Sequence, residues 1–190
     1  MDLYRTHRLP NQEVVRFPGR TPTLATYALY EIATGQLDLA ASSLAACTPP
    51  TSIMDYPLVL AQCRLALARK DHTQAIAIAD AFVADDRPLK QGQYLPEALF
   101  LQGQAHKMNS ELDLARDAFA AARLAAEAIG SKRLLWQIFA ALAEIEPDQQ
   151  KAAAFKSQAR ETVQFITDHM TSDEYRSSFL QLPDVHALLS

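Results

Sequence analysis

Small side chains recur through this chain in pairs twelve residues apart: Ala28 with Ala40, Cys63 with Ala75, Gly103 with Ala115, and Ala140 with Ala152. The second members follow one another at intervals of 35, 40 and 37 residues. Helix axes approach closely only where the residues at the contact are small. Such pairs, repeated, therefore demand helices stacked on helices. The segment 110–130 makes the same demand, with eight alanines. Alanine is the best helix former but buries little area, so a stripe of it fits a helix with another backbone lying close. Gly103 sits inside a helical pattern, where it costs about 1 kcal/mol relative to alanine. The spacing explains it as a crossing point that faces Ala115.

Apolar residues recur at three and four positions, as in Ala115, Ala118, Ala122, Ala125 and Ile129. This periodicity, with the prolines and glycines as punctuation, predicts helices over 22–34, 36–47, 55–69, 71–85, 93–108, 110–129, 132–145, 148–169, 172–181 and 183–189. No segment alternates with period two, so no sheet is expected. The connections at Gly35, Lys70-Asp71 and Asn109-Ser110 are short enough to force antiparallel hairpins.

In this register the chain resembles the tetratricopeptide (TPR) repeat family, whose period is about 34 residues. The third unit carries Leu99, Gly103, Ala115, Phe119 and Ala122 at the consensus offsets. The fourth opens on Trp136, Phe139, Ala140 and Ala143, similar to the family's W-x2-L-G-x2-Y. Glu31, Ala66, His106 and Ala143 depart from the pattern, standing where an aromatic is usual. The longer intervals and the ending "DEYRSSFLQLPDVHALL" also resemble the C-terminal repeat regions of large bacterial signal-transducing nucleotidases and maltose-activator-type regulators. The expected fold is thus all-α: a right-handed α-solenoid of about four antiparallel hairpins over 22–170, with capping helices over 171–190. An array exposes its last apolar face unless something covers it. Phe179, Leu180, Leu182, Val185, Leu188 and Leu189 supply the cover, and Thr171 with Glu174 fits a capping box. Residues 1–21 form an irregular arm in which Arg5, Arg8, Arg16 and Arg20 outnumber Asp2 and Glu13.

Composition narrows the function classes. The net charge of −4 gives no footprint for nucleic acid or an anionic membrane. The longest uncharged run is too polar and too proline-broken to span a bilayer. No secretory h-region is visible, so a cytoplasmic location is expected. Cys47 and Cys63 lack CxxC spacing and read as reduced thiols. Phosphate loops, nucleophile elbows and H-E-x-x-H helices are absent, and the five histidines stand singly. The paired carboxylates of "TSDE" answer a helix macrodipole. These readings predict no enzyme, cofactor or metal.

Binding is what the repeat resemblance implies, along the concave face lined by the first helix of each pair. Its offsets select Leu60, Arg64 and Leu67 in the second unit, Glu97, Phe100, Gln104 and Lys107 in the third, and Gln137 with Glu144 in the fourth. Phe100, Gln104, Lys107 and Arg64 are expected to form a solvent-facing patch of one aromatic, one amide and two cations. The family's chaperone-type carboxylate clamp is disfavoured, because Ala25, Leu29, Ala61, Glu97 and Leu101 occupy its positions. The expected function is a non-catalytic module binding a peptide or protein. The alternative is a ligand-sensing regulatory segment of a larger signalling ATPase, cyclase or transcription regulator. The sequence leaves the oligomeric state open.

Overall fold

The computed structural model describes residues 21–47, 56–84 and 92–190. The basic N-terminal arm lies outside these residues. Among the described residues there are ten helices and no strand. In order they are α1 (Thr21–Ala33), α2 (Leu37–Ala45), α3 (Tyr56–Ala68), α4 (His72–Ala84), α5 (Leu95–Met108), α6 (Leu112–Ala128), α7 (Lys132–Ile145), α8 (Gln149–Asp168), α9 (Asp173–Leu180) and α10 (Pro183–Leu189). The all-α expectation holds, and each helix lies within three residues of its predicted bounds.

Four helices end in the same way. Gly35, Lys70, Ser110 and Gly130 take left-handed backbone, with φ of 75°, 60°, 64° and 67°. In each case the next residue's N–H reaches back to a carbonyl of the last helical turn: Gln36 to Glu31, Asp71 to Ala66, Glu111 to His106 and Ser131 to Ala126. These contacts satisfy carbonyls that the helix end would otherwise orphan. Asp71 then caps α4 by accepting from the Gln74 N–H. Asp148 does the same for α8 through Gln150 and Lys151. At α9 the cap is Ser172, which accepts from the Tyr175 N–H, one residue later than the predicted Thr171 box.

Each odd-numbered helix from α1 to α7 packs against the helix that follows it. The helices α3, α5 and α7 also touch the preceding helix and the one before that. The apolar interior is accordingly shared between neighbouring elements. One cluster joins α1, α2 and α3 around Ala28, Ala40, Leu58 and Ala61. A second joins α3, α4 and α5 around Tyr56, Cys63, Ala75, Phe82 and Leu101. The third runs from α5 to α10 around Phe119, Trp136, Ile138 and Val163.

The twelve-residue register appears as direct contact. The Cys63 thiol donates to the Ala75 carbonyl at 3.5 Å, and the Ser43 hydroxyl donates to the Glu31 carboxylate at 2.8 Å. At Gly103 the reason for a bare backbone differs from the expected one. The nearest occupant is the Phe119 ring, whose Cδ1 and Cε1 would lie 2.5 Å from an added Cβ. Ala115 is buried, but the ring fills the gap.

The tail packs against α7 and α8. Val185 and Leu188 are buried, and the Phe179 ring meets Trp136 edge-on at 6.2 Å. Arg160 donates to the Leu188 carbonyl, and Arg176 donates to the carbonyls of Thr167 and Met170. Two predicted cover residues, Leu182 and Leu189, stay largely exposed.

Candidate functional site

Helices α3, α5 and α7 carry the side chains that the sequence selected. Two of them are not on the surface. Leu60 is buried among residues of the second cluster, and Phe100 is only 4% exposed, its ring tilted against Phe119 at 5.7 Å. Both stand three residues before the small residue of their helix, Cys63 and Gly103, and so share its inward-facing ridge. Ala25 holds the same register position in α1 and is also buried. The expected aromatic of the patch therefore belongs to the core, and the same correction removes Leu60 from the binding face.

The polar residues come together instead. Glu97, near the start of α5, is held from both sides. The Arg64 guanidinium of α3 donates to its Oε1 at 2.7 Å, and that of Arg133, in the first turn of α7, donates to its Oε2 at 2.9 Å. Nearly three turns along α5, Lys107 is paired with Glu144 of α7. Gln104 and Gln137 are half-buried, on the faces that carry Glu97 and Arg133. The two expected cations are thus each paired with a carboxylate.

Glu97 is the most enclosed member, with its side chain 18% exposed against 65% for Arg133. Burial pushes its carboxyl upward, but the charges and hydrogen bonds of Arg64 and then Arg133 outweigh it and hold the group below its ordinary 4.5. On the α5–α6 turn, Glu111 is likewise lowered, first by its hydrogen bond with His106. That bond spans 2.7 Å from Nδ1 to Oε2 and gives buried His106 a structural partner. Burial pushes the Cys63 thiol up to about 12, which keeps it neutral and unreactive.

Arg133 was not among the residues selected from the sequence. A faint signal existed, since Glu97 and Arg133 carry opposite charges near the starts of α5 and α7. Lys107 and Glu144 gave a clearer one, with opposite charges at the same register, four residues after Gly103 and Ala140. Among the described residues, no group of three His, Cys, Asp or Glu is placed to hold a metal ion, and no helix is long and apolar enough to cross a membrane. Comparison with protein-family models, with curated proteins and with solved structures gave no match.

Proposed function

We propose that this chain is a cytoplasmic, non-catalytic interaction module, built as a right-handed TPR-like solenoid of four helix hairpins with a C-terminal cap. It binds a peptide or protein along the face formed by α3, α5 and α7. The observation that carries this reading is the alignment of polar side chains from one helix to the next. Arg64 meets Glu97, Glu97 meets Arg133, and Lys107 meets Glu144, so the three helices share one face. Gln104 and Gln137 stand on it, both half-buried. A solenoid offers such a face for extended partners, because each repeat adds a strip of the same surface.

The test is affinity capture from lysate of the source organism, comparing wild type with a Gln104→Trp/Gln137→Trp double variant. The two indoles fill the face without altering the apolar interior. The expected result is a partner retained by wild type and lost from the folded variant. Equal recovery by both proteins overturns this assignment of the binding face.

A further inference from the structure

We infer that Arg64 and Arg133 form an anion-binding fork, pre-set by Glu97, that takes a side-chain carboxylate of an acidic peptide. The inference rests on the binding face proposed above and specifies the chemistry of its partner. Its basis is the arrangement of three charges. One carboxylate lies between two guanidiniums from different helices, using one nitrogen of each. Nothing else among the described residues hydrogen-bonds to either guanidinium. The triad therefore keeps an excess charge of +1, with unused N–H donors on both arginines. Each guanidinium presents five donors in a rigid planar fork that matches a carboxylate edge.

Glu97 supplies what an isolated surface arginine lacks. Ordering a long side chain costs entropy at the moment of binding. Here the largely enclosed carboxylate already holds one nitrogen of each arginine, and it offsets their mutual repulsion. A second carboxylate entering from solvent would close an alternating quartet of two cations and two anions. Arg133 is the accessible arm, at 65% exposure, while Arg64 at 31% is the anchored one. Lys107 does not compete for the same ligand, because Glu144 already meets its charge.

The neighbouring cation provides an internal control. Lys132 precedes Arg133 in the chain, but its ammonium lies 5.4 Å from the centroid of the Phe165 ring of α8, away from the triad. Lys132→Gln and Arg133→Gln change the net charge equally, one over the Phe165 ring and one at Glu97.

The experiment uses the full chain with a short fluorescein-labelled glutamate-rich peptide and its glutamine counterpart, followed by anisotropy. Arginine side-chain N–H resonances are recorded in parallel. Wild type should bind the glutamate peptide saturably, with shifts at the Arg64 and Arg133 side chains, and bind the glutamine peptide far more weakly. Arg133→Gln should lose at least about tenfold in affinity in a chain that stays folded, while Lys132→Gln retains binding. Absence of saturable binding, or equal losses in both variants, overturns the fork. If a captured partner depends on Gln104 and Gln137 but not on Arg133, the binding face stands and the fork falls. If neither pair of residues matters, both fall.

Discussion

At Gly103 a single missing methyl group decides the packing of two helices. A Cβ there would approach Phe119 Cδ1 and Cε1 to 2.5 Å and Cγ to 3.0 Å. The ring is fully buried and backed by Phe100, so it has no solvent space to swing into. Gly103→Ala gains about 1 kcal/mol of helix propensity. Overpacking of about 1–3 kcal/mol opposes that gain, so we expect a net loss of stability in urea or thermal unfolding. Adding Phe119→Leu should recover part of the loss; a single variant as stable as wild type would remove this account of the glycine. The need for a small residue at 103 was legible from spacing alone. Its neighbour was not, because periodicity reports which face turns inward and not which side chain fills it. Phe100 was misplaced for another reason: the repeat offsets put it on the open face, whereas its spacing from Gly103 puts it on the inward ridge. Cys63 yields a second residue-scale prediction: its buried, neutral thiol should resist alkylation in the native state, whereas half-exposed Cys47 should react first.

Helix ends were the most legible elements, since turn chemistry is written locally. Gly35 and Gly130 announce their left-handed residues directly. Lys70 and Ser110 do not, yet they adopt the same conformation, with exposed side chains, at φ of 60° and 64°. For a residue with a Cβ this region costs roughly 1–2 kcal/mol, which glycine avoids. Glycine also adds unfolded-state freedom worth about 0.4–1 kcal/mol, so the two effects partly cancel. Lys70→Gly and Ser110→Gly should each raise stability by several tenths to about 1 kcal/mol, read as a higher melting temperature. A lower value would show that the side chain contributes more than its backbone strain removes. Single-residue placement of a cap was less legible, because Thr171 and Ser172 are both good cap residues. The structure uses Ser172, with the Tyr175 N–H as donor.

Over the whole molecule, stability depends on contacts between elements far apart in sequence, and these were the least legible. The Arg64–Glu97–Arg133 link joins three helices across 33 and 36 residues, and pairing at that range leaves no local pattern. Because the carboxyl of Glu97 is lowered in the folded state, its contribution is present above its ordinary value of 4.5 and fades as pH falls through the folded value. Glu97→Gln should therefore flatten the acid limb of the stability profile while lowering stability at neutral pH. The neutral-pH loss should lie between the ~0.2–1 kcal/mol of exposed pairs and the ~3–5 kcal/mol of buried ones. An unchanged acid limb would show that the triad does not couple folding to pH. The far end of the chain allows a sharper test, because Trp136 is the single tryptophan and the tail covers it. Trp136 is 4% exposed, with Phe179 against it, while Val185 and Leu188 anchor α10 in the same cluster. Deleting 173–190 uncovers this apolar surface, and an exposed apolar patch promotes association. The truncated chain should aggregate or melt earlier, with tryptophan emission shifted to the red. Phe179→Ala removes only the ring that touches the indole, and it should give a smaller red shift in a chain that stays monomeric. Blue, native-like emission from both variants, with unchanged melting, would mean that α9 and α10 do not cover α7 and α8.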